Sequence, residues 1–260
     1  MFGLDITVGH YDILFLMFGS EYYKYPRLYT EERLKENGQI NLSRDHLHYL
    51  RNVMRRKEGD FIRLFNGQDG EWLCAVQKLD KKNGVLGAEK HLRPQSDITQ
   101  RTHLVFAPLK KDRMNFLIEK SVELGVTDFH PVLTDRTEVR KINEGRLTQQ
   151  IIEASEQSER LDVPALHDLQ HRDVFISGWN SNIPLICCIE RGGHKNLAEI
   201  IGNPKPREAA FLIGPVGGFT DDEIDIFTAD PHIQTASLGP NVLRSETAAI
   251  APLVYMLLST

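Results

Sequence analysis

Phe211-Leu-Ile-Gly-Pro-Val-Gly-Gly-Phe219 is followed, after one helix-like interval, by Leu238-Gly-Pro-Asn-Val-Leu-Arg-Ser-Glu-Thr-Ala248. Each stretch reads as a short apolar strand that runs into a Gly/Pro turn and then into a helix. Thr220 and Glu223 have the S/T-x-x-E spacing of a capping box after the first turn, and Ser245 with Glu246 makes a favourable helix start after the second. Two such loops on neighbouring strand ends form one crevice, the place where open α/β sheets hold small ligands. The first loop has neither the G-x-x-x-x-G-K-[ST] of a P-loop nor the G-x-G-x-x-G of a dinucleotide fold, so polyphosphates and NAD are disfavoured.

Upstream, apolar runs and helical patterns alternate. Strands are expected over 102–107, 128–132, 184–189, 209–213 and 234–238, and helices over 112–124, 146–160, 195–201, 221–229 and 246–258. Such alternation predicts an α/β domain with a mainly parallel sheet covered by helices. Residues 25–93 read differently, as a small β-rich module with one helix. Its apolar runs at 61–65, 72–76 and 85–88 are separated by Asn66-Gly67, Asp69-Gly70 and Asn83-Gly84, turn dipeptides that bound strands. Between Ser43 and Arg56, Leu47, Leu50, Val53 and Met54 recur at helical spacing, which leaves His48, Arg51 and Arg55 as a stripe on the far side. Leu92-Arg-Pro-Gln-Ser-Asp97 breaks the pattern, so the expected organisation is 1–24, 25–95 and 96–260.

The 260 residues, 41% hydrophobic, suffice for a sizeable core. A net charge of −5 carries no global signature of nucleic-acid binding, but residues 25–95 hold 14 Lys and Arg against 10 Asp and Glu while the remainder is acidic. That imbalance fits either a local RNA-binding face or a solvated surface. Cys187 and Cys188 are adjacent strand residues facing opposite ways, and with Cys74 they form no C-x-x-C. Inert thiols in a reducing compartment are expected. The ten histidines hold a single H-x-x-x-H, His167 to His171, and no H-E-x-x-H, so no metal site is expected. The apolar run Ile13 to Phe18 is too short to span a bilayer, and Asp5 and Asp12 precede it where a signal peptide carries Lys or Arg. A cytoplasmic protein is the resulting expectation. Residues 1–24 are either a genuine extension or the product of a start codon upstream of Met17.

The two Gly/Pro loops closely resemble those of the RsmE family of 16S ribosomal RNA uridine-N3 methyltransferases, in the SPOUT superfamily. The likeness continues in Glu119-Lys-Ser-Val-Glu-Leu-Gly-Val126, Asp135-Arg-Thr137, Ala154-Ser-Glu-Gln-Ser-Glu-Arg160, Val163-Pro164, Pro26-Arg-Leu-Tyr29, His46-Leu-His-Tyr-Leu-Arg-Asn-Val-Met-Arg55 and Gly59-Asp60. One position departs: the family carries Glu between Pro215 and Gly217, where this chain has Val216. The resemblance implies a PUA-like β-barrel that grips RNA, then a SPOUT methyltransferase domain with a C-terminal trefoil knot. It also implies a homodimer whose contact runs beside the knot. The implied substrate is small-subunit ribosomal RNA, naked or within the assembled 30S particle. A rival reading, resting on Val216, is a non-catalytic RNA-binding or ribosome-assembly factor that retains the fold.

By the same resemblance, S-adenosylmethionine is the cofactor, enclosed by Leu212, Ile213, Gly214, Gly217, Gly218, Leu238, Gly239, Leu243 and Thr247. Methyl transfer from a sulfonium needs alignment, a dry site and a nucleophile with a free lone pair. Uracil N3 is an imide that keeps its proton near neutrality, so the site needs a base or a cation that stabilises the anion. Arg244, just before a helix start, is the candidate stabiliser, with an ion pair to Glu246 as its structural alternative. Glu246 fits catalysis and helix capping about equally. Arg27, Arg51, Arg55 and Arg56 in the first module, with Lys110 and Arg113 in a loop-borne cluster, are the candidate RNA contacts.

Overall fold

The chain folds into two units, the first around one buried hydrophobic cluster and the second around two. The computed structural model describes residues 20–190 and 192–258; the apolar run at 13–18 and most of the expected N-terminal extension lie outside them. One unit comprises Met1–Asp97 with Glu159–Asp162, the other Ile98–Ser158 with Val163–Thr260.

The first unit is a five-stranded sheet. Its elements are β1 (Arg27–Tyr29), β2 (Gln39–Asn41), α1 (Arg44–His48), β3 (Phe61–Phe65), β4 (Glu71–Leu79) and β5 (Gly84–Arg93). The strand order is β1-β3-β4-β5-β2, antiparallel except for the β1–β3 pair. Leu28, Ile40, Ile62, Leu64, Val76 and Leu86 fill its core together with Leu50 from the helical segment. The expected turns form where the sequence places them. Asn66 Oδ1 accepts hydrogen bonds from the amides of Gln68 and Asp69, and Gly70 has a φ of +76° with Arg93 O only 2.1 Å from where a Cβ would stand.

The helix expected from Ser43 to Arg56 is shorter and more irregular. Ser43 caps it by accepting from His46 N, but the α-helical turns end at His48 and widen into a π-helical segment, Tyr49–Val53. Arg55 then takes a φ of +53°. The basic stripe therefore breaks after Arg51, because i, i+7 alignment needs an unbroken α-helix. A second correction concerns Arg27. It is buried, with its guanidinium over the Phe65 ring and its Nε 2.7 Å from Glu71 Oε1, so its charge is engaged inside the unit. Glu71, 2% exposed, also accepts from Arg93 Nε at 2.7 Å and Arg63 Nη1 at 3.3 Å, and Glu159 pairs with Arg63 at 2.7 Å.

The second unit is built from β6 (Arg101–Phe106), α2 (Lys111–Glu123), β7 (Asp128–Leu133), α3 (Glu144–Gln157), β8 (Ala165–Leu166), β9 (Gln170–His171), α4 (Arg172–Gly178), β10 (Leu185–Cys188), α5 (Leu197–Ile201), β11 (Glu208–Ile213), α6 (Asp221–Ala229), β12 (Ile233–Ala236) and α7 (Ser245–Leu257). All its strand pairs are parallel, in the order β12-β10-β11-β6-β7-β8, with β9 also on β7. Alternate residues feed two cores: Leu104, Phe106, Phe211 and Ile213 pack with α2, α3 and α7, while Val105, Ala210 and Leu212 pack with Phe175 of α4 and Phe227 of α6. Burial on both faces is why these strands read as continuous apolar runs. Cys188 and Cys187 face opposite cores as expected, and burial pushes the Cys188 and Cys74 thiols up to about 12.

The two loops do not come from neighbouring strands. β10 lies between β11 and β12, so its own C-terminal end sits in the middle of the crevice. Helix α3 ends earlier than expected because Glu159 adopts a φ of +58°. Among the described residues, no helix is long and apolar enough to cross a membrane.

Candidate functional site

A cavity of about 300 Å³ opens at the C-terminal ends of β10, β11 and β12. Ile213, Gly214, Gly217 and Gly218 line it from the first loop, and Leu238, Gly239 and Leu243 from the second. Two expected residues are elsewhere. Leu212 points into the opposite core, since successive strand residues face opposite ways, and Thr247 lies on the exposed side of α7, whose Ser245 and Ala248 share the cavity face at i, i+3. The structure adds Cys188, Ile189 and Glu190 from the end of β10, Arg136 from the loop after β7, and Asp221, Ile224 and Asn241. Reading β10 as the neighbour of both loop-bearing strands would have found the first three.

The first loop is held from behind. Thr220 and Glu223 form the expected capping box: Thr220 Oγ1 accepts from Glu223 N at 3.2 Å, and Glu223 Oε2 accepts from Thr220 N at 2.8 Å. Fully buried, Glu223 also accepts from Asp135 N at 3.0 Å and lies 2.8 Å from Arg172 Nη1, off the hydrogen-bonding direction. Arg136 Nη1 donates to the carbonyls of Gly217 and Phe219, both at 3.0 Å. Gly218 has a φ of +68°, and a Cβ there would stand 3.0 Å from Glu190 Oε1. The positive φ favours glycine here, and a Cβ would require the Glu190 carboxylate to give way by a few tenths of an ångström.

The chemistry available is divided. Ile189, Ile213, Phe219, Ile224 and Leu238 offer apolar wall, while Glu190, Asp221, Asn241 and Ser245 offer a few polar groups, the mixture that binds a ligand with a flat apolar part and a polar part. No side chain caps α7. Arg244, its N-cap residue, is exposed and has no side-chain hydrogen bond or ion pair among the described residues. Glu246 is 9% exposed; its Oε1 lies 3.8 Å from Arg113 Nε rather than on Arg244, and its Oε2 has no hydrogen-bond partner. Burying a carboxylate oxygen without a partner is costly.

Of the expected RNA contacts, Lys110 is exposed and pairs with Glu138 at 2.7 Å, and Arg113 is partly exposed. In the first unit, Arg51 lines a groove with Arg44, His48, Lys81 and Lys82, a cluster that gathers the β4–β5 turn beside the helical segment. Arg55 is exposed outside that groove; Arg56 is partly buried. Chain spacing held no metal constellation, yet pairing of β6 with β7 brings His103, Asp128 and His130 together.

Residues 96–257 match the family model of an RNA methyltransferase domain, and residues 42–87 that of an RNA methyltransferase PUA domain. The ribosomal RNA small subunit methyltransferase E of Rickettsia conorii is 34% identical over 90% of this chain and 95% of its own length. The solved structure of the methyltransferase Lpg2936 from Legionella pneumophila in complex with SAM is 29% identical, with a TM-score of 0.80 over 90% of this chain and 97% of that one. The ribosomal RNA small subunit methyltransferase E of Neisseria gonorrhoeae bound to S-adenosyl methionine is also 29% identical, with a TM-score of 0.78 over 89% and 96%. Matched over both units and in the loops that wall the cavity, the chain belongs to the RsmE family of SPOUT ribosomal RNA methyltransferases.

Proposed function

We propose that this protein methylates N3 of a uridine in 16S ribosomal RNA, using S-adenosylmethionine held in the cavity at the ends of β10, β11 and β12. The observation that carries the reading is the cavity itself. Both Gly/Pro loops wall it, and Gly218 brings backbone of positive φ up to the Glu190 carboxylate, where a Cβ would crowd it. The donor set fits the cofactor: apolar walls suit an adenine, and the Glu190 carboxylate suits ribose hydroxyls. When bound, the cofactor supplies an electrophilic methyl group. The chain's own residues bind, orient and exclude water; Arg244, between the cavity-lining Leu243 and Ser245 but not itself in the lining, is the cation assigned to stabilise the uracil anion. Glu246, with one unpartnered buried oxygen and next in sequence to Ser245 of the cavity wall, is the second candidate. Val216 is 57% exposed and does not line the cavity, so its departure from the family pattern leaves the proposed cofactor contacts in place.

A PUA-like barrel in the first unit, a C-terminal trefoil knot, a homodimer and a cytoplasmic location complete the proposal. The apolar residues of α7 support association: Leu253 is buried in its own unit, whereas Leu257 is exposed. Light scattering at low micromolar protein should give twice the chain mass, and an active monomer would remove the dimer. The central test is methylation of stripped small subunits followed by mass mapping of uridine nucleosides. Arg244→Ala should bind cofactor nearly as the parent does and turn over about a hundred- to thousandfold more slowly. Higher pH should partly restore its rate by ionising uracil unaided. RNA binding without any methyl transfer by the parent protein would favour the assembly-factor reading instead.

A further inference from the structure

A second polar cluster occupies the opposite edge of the same sheet. His103 of β6 stands opposite Asp128 of β7 in register, and His130 follows Asp128 by two residues, so all three share one face. His103 Nδ1 is 3.1 Å from His130 Nε2 and 3.6 Å from Asp128 Oδ2, and the three ligand-type atoms all lie within 4.8 Å of one another. We infer that His103, Asp128 and His130 form a binding site for one zinc-like divalent ion.

Bonds of about 2.0–2.2 Å around a tetrahedral ion place its ligand atoms roughly 3.3 Å apart. The observed 3.1 and 3.6 Å from His103 Nδ1 fall on either side of that spacing, and all three atoms lie within 4.8 Å, so side-chain adjustment without a change of backbone suffices to close the set. Two imidazoles and one carboxylate make a set that suits zinc, leaving a fourth position for water. The neighbours also hold the ligands as a metal shell does. His103 Nε2 is 2.9 Å from Glu208 Oε1, the carboxylate–histidine arrangement that fixes a ligating imidazole, and Asp128 Oδ1 is 3.0 Å from His167 Nε2. The His130 ring stacks on His167 at 4.0 Å and meets Trp179 edge-on at 5.6 Å.

Charge balance supports the same reading. Asp128 and Glu208 bring two negative charges, and Arg101 is the one arginine on the cluster among the described residues, with Nη2 3.0 Å from Asp128 Oδ2. The Arg101 side chain is 51% exposed and can turn into solvent at small cost. A divalent ion with Arg101 turned away leaves the group neutral. Without the ion, Arg101 and the hydrogen bonds between the rings hold the cluster.

The test uses the full chain without a histidine tag, stripped with chelator and titrated with Co²⁺ and then Zn²⁺. One Co²⁺ per chain should bind with the visible absorption of four-coordinate cobalt, Zn²⁺ should displace it, and Zn²⁺ should raise the melting temperature. His103→Gln and Asp128→Asn should each abolish the cobalt spectrum. Glu208→Gln should weaken binding about 10- to 100-fold, as loss of an orienting partner does. If a variant does not fold by circular dichroism, the parent's stoichiometry decides. Absence of the cobalt spectrum in the parent, or its persistence in folded His103→Gln, overturns the inference and leaves a hydrogen-bonded histidine network. The result does not depend on methyltransferase activity.

Discussion

Glu223 is the point from which the first cavity loop hangs, and replacing it with Ala is the sharpest test of that arrangement. Its carboxylate accepts from the backbone N–H of Thr220 and of Asp135 and lies against the buried Arg172 guanidinium. Each orphaned buried N–H costs about 1–3 kcal/mol. Breaking one side of a buried ion pair costs about 3–5 kcal/mol. These losses share one side chain and do not add, so about 3–5 kcal/mol is expected for Glu223→Ala, or roughly 6–20 °C in melting temperature for a chain of this size. Glu223→Gln should be destabilising but less so than Ala, because it keeps one acceptor oxygen while its NH2 faces an N–H that already donates. Urea unfolding of parent and variants reads the loss as a lower midpoint at unchanged slope. Cofactor affinity, followed by the ligand-induced melting shift, should fall with it. A loss under about 1 kcal/mol in Glu223→Ala would refute the tether.

Gly218→Val should abolish the cofactor-induced melting shift while leaving a folded protein, since a φ of +68° strains a β-branched residue and its side chain would crowd Glu190 from 3.0 Å; an unchanged shift would remove Gly218 from the site. Burial pushes the Glu71 carboxyl up, but Arg27 and Arg93 outweigh it and hold the group below its usual range. A depressed carboxylate stabilises the fold at pH above its unfolded value and loses that contribution as pH falls through the folded one. Glu71→Gln should therefore cost about 3–5 kcal/mol at neutral pH, with the gap to the parent shrinking in acid; a pH-independent gap in urea unfolding would contradict this. Arg51→Ala with Lys82→Ala should weaken RNA binding and flatten its log–log salt dependence by roughly 1.4–1.8, with cofactor affinity unchanged. Normal RNA binding at every salt concentration would make the groove a solvated surface.

What could be read from the chain was local. Thr220 and Glu223 announced their capping box because both partners lie within one turn, and the Gly/Pro loops announced the cavity because glycine at close approach is a local demand. Non-local features were hidden. Placing β10 between β11 and β12 depends on pairing across the sheet, so Glu190 carried no signal that it would face Gly218. The same holds for His103 and His130, which meet only because β6 pairs with β7. Helix α4 escaped notice because Arg172-Asp-Val-Phe-Ile-Ser-Gly178 is barely two turns long, and only Arg172 and Phe175 of it are buried. The basic stripe failed for a different reason: periodicity assumes an unbroken α-helix, and the π-helical segment at Tyr49–Val53 broke the phase before Arg55.

Apart from Arg136, every residue lining the cavity lies between Cys188 and Ala248. Synthesis runs from the N-terminus, so β6, β7, α2 and α3 leave the ribosome well before the walls of the cavity exist. A chain that stops before Ser245 lacks the first turn of α7 and with it one side of the pocket. If the first unit binds RNA as proposed, that unit, complete by Asp162, is available to RNA before the second unit can hold a methyl donor. Prematurely terminated chains would thus compete for RNA as inert ligands, and acquisition of cofactor would report that translation had reached the end of the cavity-forming segment.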